Sequence, residues 1–516
     1  MSILDEKKLN FINKIGLIAK ASFNSDQKEL AKSIINSSDI KNIDAIYQLI
    51  SQRIKTGFVF DAAPEINHDC VSLIEENEDL YIQSKGNPVN FVEHKLIIGE
   101  NYDALKNILA TYTNPKNGKG LIDIIYIDPP YNTEKSKEDG NDYKTEVEAS
   151  KFVYRDKFTR DGWLNLMNER LQLARKVMTD EGVIFISIDD VEHAYLKVLC
   201  DDIFDENNFI GSIAVIKAEG GGMAKQIIRG HDFLYVYAKN KNKFKPLARE
   251  KDVRGEIVDI GGVKYWIQED AVRKEFGKYG HLYYEDILKY RNQEFKDKID
   301  EGIKNFEYRL IKKDGSKHII GKLRRLDEDS TKFYSVLKHL NKDGVNCLKS
   351  LGLDKQFPYP KPVSLIKELV KGASFFGKKE QIVLDFFAGS GTTGQAIMEL
   401  NNEDGGRRKC ILVTNNENNI AHNATWERLY RVIHGKGSNK ESIEWKYSDS
   451  QHSLTDNKVR VFDINTYNLE LNDIEKAKEL VPLVESQFKL LNENYNARDK
   501  FDIYNELASL NPVKEE

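Results

Sequence analysis

The sequence predicts an α/β protein built on a doubly wound sheet, and three observations carry that expectation. Strand-like apolar runs alternate with helical stretches over about residues 91–240. The same alternation returns from about residue 356. Between the two lies an interval that lacks it. Strands joined by helices build a parallel sheet covered on both faces, so the two stretches read as halves of one domain interrupted by an insertion.

Residues 1–90 read as mostly helical. Apolar side chains recur at helical spacing in Leu9, Ile12, Ile15, Leu17 and Ile18, and again through Ala45–Ile54. From 91 to 240, HKLIIG is a short strand and a helix follows over Tyr102–Leu109. LIDIIYID is a near-continuous apolar strand ending in Asp128, as suits a strand buried on both faces. A helix over Trp163–Met178 sets Leu164, Met167, Leu171 and Ala174 on one side. GVIFISID and DFLYVYAK are further buried strands.

Residues 241–355 read as an inserted domain, in which Lys, Arg and aromatics interleave (KYWIQED, KYGHLYYEDILKY, FEYRLIKKDG). Over residues 356–440, VSLIKELV is a helix, QIVLDFFA a strand, TTGQAIMEL a helix and KCILVTNN a strand. Residues 441–516 supply one strand, KVRVFDI, and then a charged helical tail.

Of the 516 residues, 40% are hydrophobic and 31% charged, a globular composition with material for a large core. No apolar run approaches the ~20 residues of a membrane helix. The start, MSILDEKKLN, lacks the pattern of a signal peptide, so a cytoplasmic location is expected. Cys70, Cys200, Cys347 and Cys410 are scattered without a Cys-x-x-Cys pair, and they read as free thiols. No metal cluster is expected. The formal net charge is −5, yet residues 241–355 carry about +7 and the remainder about −12. A basic segment on an acidic chain can supply a phosphate-binding surface, and a solvated surface region would look similar.

Residues 382–400, IVLDFFAGSGTTGQAIMEL, place a strand, a glycine turn and a helix in succession. Asp385 and Phe387 close the strand, and Ala388, Gly389, Ser390 and Gly391 form the turn. Thr392 or Thr393 is expected to help cap the helix. Open α/β sheets bind ligands at such strand ends, against a helix N-terminus. Gly-Lys-Ser/Thr is missing, so this is no phosphate loop. Gly389, Gly391 and Gly394 satisfy Gly-x-Gly-x-x-Gly, so the glycines alone leave a dinucleotide site open. Glu417, at the end of the next strand, can accept hydrogen bonds from a ribose diol; a surface Glu in a turn is the alternative.

Strand LIDIIYID runs into Asp128-Pro129-Pro130-Tyr131. Two prolines remove two backbone donors and stiffen the chain, leaving neighbouring carbonyls free to accept. Asp128 adds a carboxylate, and Tyr131 a flat face. An exocyclic amine on a planar base needs this set: the carboxylate and the Pro129 carbonyl for its hydrogens, and the aromatic ring for the base. A proline-stiffened turn is the bland alternative for the motif standing alone.

Together these motifs resemble the N6-adenine DNA methyltransferases. Asp128–Tyr131 is similar to that family's Asp-Pro-Pro-Tyr motif, and Phe387–Gly391 to its Phe-x-Gly-x-Gly cofactor motif. The order, catalytic motif first, then an insertion, then cofactor motif, resembles the beta class. FPYPKPVSLIKEL, containing Lys361 and Pro362, resembles the segment that closes over the cofactor. DGWLNLMNERLQLARKVMTDEGVIFISIDD, GHDFLYVYAKN and KVRVFDINTYNLEL look like modification subunits of type III restriction–modification systems.

The resemblance implies a Rossmann-like methyltransferase sheet in permuted order, an inserted target-recognition domain and helical extensions at both ends. It implies S-adenosyl-L-methionine as cofactor, held by Lys361, Asp385, Phe387, Ala388, Gly389, Ser390, Gly391, Thr392 and Glu417. It implies direct methyl transfer to N6 of an adenine extruded from double-stranded DNA, with Asp128, Pro129, Pro130 and Tyr131 catalytic. A homodimer partnered by a helicase–nuclease subunit is the expected assembly. A solitary methyltransferase and an inactive DNA-binding subunit are the alternatives. Asp at position 128 favours adenine over cytosine-N4, and the lack of a Pro-Cys nucleophile disfavours cytosine-C5 chemistry.

Overall fold

The computed structural model describes residues 8–13, 25–37, 43, 70–84, 91–114, 116–131, 160–219, 227–251, 253, 255–275, 280–313, 315–326, 328–377, 379–468, 474–495 and 507. The chain divides into two compact units, residues 1–61 and 62–516. In the first, residues 8–13 are helical and a helix spans Ser25–Ser37. The helical reading of Ala45–Ile54 lies outside the described residues.

The second unit is built on one large sheet. Its principal strands are β1 (Cys70–Glu76), β2 (Val92–Ile98), β3 (Ile122–Ile127), β4 (Met178–Ile188), β5 (Phe209–Ile216), β6 (His231–Ala238), β7 (Val336–Lys338), β8 (Ile382–Asp385), β9 (Lys409–Thr414) and β10 (Asn457–Asn468). The order across the sheet is β1-β10-β2-β9-β8-β3-β4-β6-β5-β7. From β10 to β4 the neighbours run parallel. Strand β6 enters antiparallel between β4 and β5, and β1 closes the other edge antiparallel to β10.

The central strands are apolar on both faces because both faces are covered. Ile122, Ile124, Ile125, Tyr126 and Ile127 of β3 are all buried, as are Val383 and Leu384 of β8. The helices that follow the strands are α1 (Asn101–Thr111), α2 (Arg160–Val177), α3 (Val363–Ala373), α4 (Thr392–Asp404) and α5 (Glu427–His434). Leu365, Ile366, Leu369 and Val370 of α3 and Ala396, Ile397 and Leu400 of α4 join the same core cluster as Ile124 and Val383. At ~25 cal/mol per Å² of apolar surface, this burial is the main force holding the two sequence halves together.

Three readings are corrected. Cys70–Glu76 and Ile82–Gln83 are strands, within a stretch read as helical. Cys70–Ile74 is a short buried run, which periodicity cannot assign, and it becomes a strand by pairing with residues nearly 400 positions away on β10. The main sheet resumes at β7, before residue 356, since Val336–Lys338 pairs with Ala214–Ile216. Neither Thr392 nor Thr393 caps α4; the N-cap is Gly391, in a left-handed conformation with φ +75°.

The insertion carries its own antiparallel sheet, of strands Tyr308–Lys312, His318–Arg325, Val263–Gln268 and Ile257–Ile260 in that order. Helix Gln293–Lys304 supplies Ile299 to a separate small core with Val272, Leu282, Ile287 and Ile320. Tyr284, Phe295 and Tyr308 pack against that core, so part of the aromatic content serves packing. All four cysteines are free, and Cys70, Cys200 and Cys410 are buried. Among the described residues, no helix is long and apolar enough to cross a membrane.

Candidate active site

Strands β3 and β8 lie side by side and parallel, with Val383 paired to Ile124 and Leu384 to Ile125. Asp128 follows the last residue of β3, and Asp385 ends β8. The Asp-Pro-Pro-Tyr loop and the glycine loop therefore leave the same edge of the sheet from neighbouring strands. This is where an open α/β sheet forms its ligand crevice.

In the first loop, the Tyr131 hydroxyl donates to Asp128 Oδ1 at 2.5 Å. Trp163 of α2 is buried and its Nε1 donates to the Pro130 carbonyl at 2.7 Å, which pins the loop to the helix. Lys361 reaches the same place from the segment before α3. Its Nζ donates to the Tyr131 hydroxyl at 2.5 Å and lies 3.3 Å from Asp128 Oδ1. It also lies 5.0 Å from the centroid of the Tyr131 ring. Pro360 and Pro362 flank Lys361 and restrict its backbone to extended conformations.

Asp232 of β6 completes the cluster. Lys361 donates to its Oδ2 at 3.1 Å, and Lys217, the residue after β5, to its Oδ1 at 2.7 Å. Burial pushes the Asp128 carboxyl above its ordinary range, against the pull of Lys361 and the Tyr131 hydroxyl. Asp232 goes the other way: burial would raise it, but Lys361 and Lys217 outweigh that and hold it ionised. Burial would lower Lys361, and the two carboxylates keep it above the usual lysine value. The cluster is thus a run of alternating charges, each buried ion paired.

In the second loop, Gly389 has φ +49° and Gly391 φ +75°. A Cβ on Gly389 would stand 3.1 Å from Phe357 Cζ, and one on Gly391 3.2 Å from Thr425 Cγ2. Gly394 serves packing: a Cβ there would meet Leu429 and Leu412, so its absence lets α4 approach β9 and α5. Asp385 is buried, accepting from the Phe387 N–H at 3.0 Å and the Thr393 hydroxyl at 2.5 Å. Burial lifts its carboxyl to about 7, partly offset by those two donors, and the charge on Asp128 adds to the rise.

Arg428 of α5 supports this loop from beneath. Its Nη1 donates to Thr392 Oγ1 at 2.8 Å and to Ser390 Oγ at 3.1 Å, and its Nε to Gln395 at 2.7 Å. The Thr425 hydroxyl donates to the Gly389 carbonyl at 2.5 Å. On the far side, Asn101 Nδ2 donates to the Phe386 carbonyl at 2.9 Å. The Ala388 N–H donates to the Val413 carbonyl at 3.0 Å, tying the loop to β9. Glu417 lies beyond the end of β9, exposed, on a short 3-10 turn.

The structure brings together Asp128, Tyr131 and Lys361, and separately Asp385 through Thr392. Lys361, expected among the cofactor residues, places its ammonium on the Asp-Pro-Pro-Tyr loop. Sequence reasoning missed Asp232, Lys217, Trp163, Asn101 and Arg428. The only local signal was polar character inside apolar elements: Asp232 interrupts a strand, and Arg428 lies on the buried side of a helix.

A family model described as DNA methylase matches residues 122–424, and one for an uncharacterised conserved protein matches residues 8–117. The type III restriction-modification enzyme StyLTI Mod subunit of Salmonella typhimurium is 27% identical over 81% of this chain and 66% of its own length. The EcoPI Mod subunit of Escherichia phage P1 is 29% identical over 63% of this chain and 58% of its own. The type II methyltransferase M.KpnI of Klebsiella pneumoniae is 30% identical over 64% of this chain and 82% of its own. The chain thus spans less than two-thirds of the length of these Mod subunits. Among solved structures, the PvuII DNA methyltransferase (cytosine-N4-specific) is 11% identical, with TM-score 0.34, over 70% of this chain and 98% of that one. The DNA methylase match covers more than half of the sequence, from β3 through the glycine loop and β9, and the chain belongs to that family.

Proposed function

We propose that this protein transfers a methyl group from S-adenosyl-L-methionine to N6 of an adenine in double-stranded DNA. One observation carries the reading. An amine-accepting loop, Asp128–Tyr131, and a cradle-forming loop, Phe387–Gly391, leave adjacent parallel strands at one sheet edge.

The residues present fit the cofactor. Two left-handed glycines keep the cradle free of Cβ atoms. The charge on Asp128 reaches Asp385 and adds to the rise of its carboxyl. A cationic ligand beside Asp385 would favour its ionised form, as a sulfonium would. Asp385, Phe387, Ala388, Gly389, Ser390, Gly391 and Thr392 would hold it, with Glu417 toward the ribose. When bound, the cofactor supplies an electrophilic methyl group.

The chain's own residues then do the rest. Asp128 and the Pro129 carbonyl accept the two N6 hydrogens, which turns the nitrogen lone pair toward the methyl. Asp128 also stabilises the positive charge that develops on that nitrogen. Pro130, pinned by Trp163, fixes the height of the loop. Tyr131 stacks on the base, which is extruded from the duplex to reach it. The insertion is the candidate for reading the target sequence, its Lys and Arg side chains contacting phosphates and base edges.

The likeness to Mod subunits supports a modification subunit of a type III system, acting in the cytoplasm as a homodimer with a helicase–nuclease partner. The likeness to M.KpnI supports a second reading, a methyltransferase that works without such a partner. Incubation with labelled cofactor and genomic DNA, followed by nucleoside analysis, tests the reaction. N6-methyladenine supports it, and N4-methylcytosine or no product contradicts it.

A further inference from the structure

We propose that Lys361 is a resident cation holding the place of the target amine, and that Asp232 is the acceptor to which it withdraws when adenine enters. The proposal rests on the reading of Asp128 as the amine acceptor. Asp128 Oδ1 is already engaged by two donors of this chain, the Tyr131 hydroxyl at 2.5 Å and Lys361 Nζ at 3.3 Å. Lys361 Nζ also stands 5.0 Å from the centroid of the Tyr131 ring. The ammonium thus meets the same two groups that an adenine must meet, the carboxylate and the aromatic ring. Both cannot hold them at once.

The exit is built into the cluster. Lys361 already donates to Asp232 Oδ2 at 3.1 Å, while Lys217 holds the other oxygen. A small cavity on that side is lined by Ser187, Lys217, Asp232, His339, Asn341 and Lys361. Rotation about the outer bonds of the lysine stem carries the ammonium toward it, and the flanking prolines leave the backbone where it is. The cation stays paired throughout, so the exchange avoids the several kcal/mol that an unpaired buried charge costs. An empty base pocket is thereby kept from stranding Asp128, and entry requires a donor able to replace the ammonium. Asp232 acts through Lys361 and is a positioning residue.

The test uses Asp232→Asn, Lys361→Met and the double variant, in the full chain. Affinity is measured for a duplex carrying an adenine site mapped from methylated genomic DNA, with the non-transferring cofactor analogue sinefungin present. Affinity for sinefungin alone is measured separately. Asp232→Asn traps the ammonium on Asp128, so duplex binding weakens by about tenfold with sinefungin binding unchanged. The double variant removes the resident cation and binds the duplex more tightly than the wild type. A merely structural ion pair would at best return the double variant to wild-type affinity. Wild-type affinity in Asp232→Asn, or no gain beyond wild type in the double variant, overturns the proposal. If Asp232→Asn does not fold, a structure of the wild type with sinefungin and the duplex decides. Lys361 on Asp232 and away from Asp128 supports the exchange, and Lys361 still on Asp128 overturns it. A wild type that methylates no adenine would overturn the reading of Asp128 and this proposal with it, whereas an active wild type with indifferent Asp232→Asn overturns the exchange alone.

Discussion

Val383 of β8 is paired in parallel register with Ile124 of β3. These residues lie more than 250 positions apart in sequence, and their pairing sets the two loops of the candidate active site beside each other. Everything proposed for the site depends on that register, since a slip of one residue would turn Asp385 and Asp128 to opposite faces.

Gly391→Ala should weaken cofactor binding. The residue sits at φ +75°, where an alanine costs roughly 1–2 kcal/mol, and its Cβ would press on Thr425. Affinity for S-adenosyl-L-methionine, measured calorimetrically, is expected to fall by about tenfold. Unchanged affinity would mean that the cofactor does not lie on this loop.

Arg428→Met should act on the cofactor without touching it. The substitution removes the guanidinium donor from Ser390 Oγ, Thr392 Oγ1 and Gln395 Oε1 and leaves the two hydroxyls only each other at 3.2 Å, each lost bond to the cation being worth about 1.5–3 kcal/mol. The expected outcome is a raised KM for cofactor with KM for DNA little changed, together with a lower Tm. A variant with wild-type KM for cofactor would place Arg428 among residues that only hold the fold.

Asp385 makes stability depend on pH with a definite sign. Its folded carboxyl titrates at about 7, above the ordinary 3.8. Native protein therefore holds a proton that unfolded protein has released, and the contribution of this group to stability is lost as pH rises from about 4 to about 7. Asp385→Asn removes that dependence. Thermal unfolding of both proteins across this range should show the variant gaining on the wild type as pH rises, and parallel curves would refute the assignment.

Trp163→Phe tests the anchoring of the Asp-Pro-Pro-Tyr loop. It keeps the buried ring and removes the 2.7 Å bond to the Pro130 carbonyl, worth about 1 kcal/mol. Methyl transfer is expected to slow several-fold with cofactor affinity intact. A loss of cofactor affinity equal to the loss of rate would point instead to a general loosening of the sheet.

The two loops were legible in the sequence because their chemistry is local. Asp-Pro-Pro-Tyr and Phe-Ala-Gly-Ser-Gly each follow an apolar strand, and short runs such as LIDIIYID leave little doubt about burial on both faces. What surrounds the loops was not legible. Asp232 sits within DFLYVYAK, a run that reads as buried strand, and only the neighbouring β5 and the Lys361 segment show why an acid is tolerated there. Strand β1 escaped because Cys70–Ile74 is too short to have a period, and its partner lies at the other end of the unit. Thr393 was expected at a helix cap, yet its hydroxyl goes back to Asp385, a competition between local and tertiary partners that spacing does not reveal. Lys361 was expected on the cofactor, and its place beside Tyr131 follows from the fold of a proline-rich segment that has no regular period.

The central claim is that Asp128 accepts the amine of an adenine that receives the methyl group. The most direct test compares wild type and Asp128→Ala for transfer of labelled methyl from S-adenosyl-L-methionine to duplex DNA, with the product nucleoside identified by mass spectrometry. The account predicts N6-methyladenine from the wild type, a loss of at least about a hundredfold in rate for the variant, and cofactor binding retained in both. N6-methyladenine formed at comparable rates by Asp128→Ala, or a methylated nucleoside other than N6-methyladenine from the wild type, would contradict it.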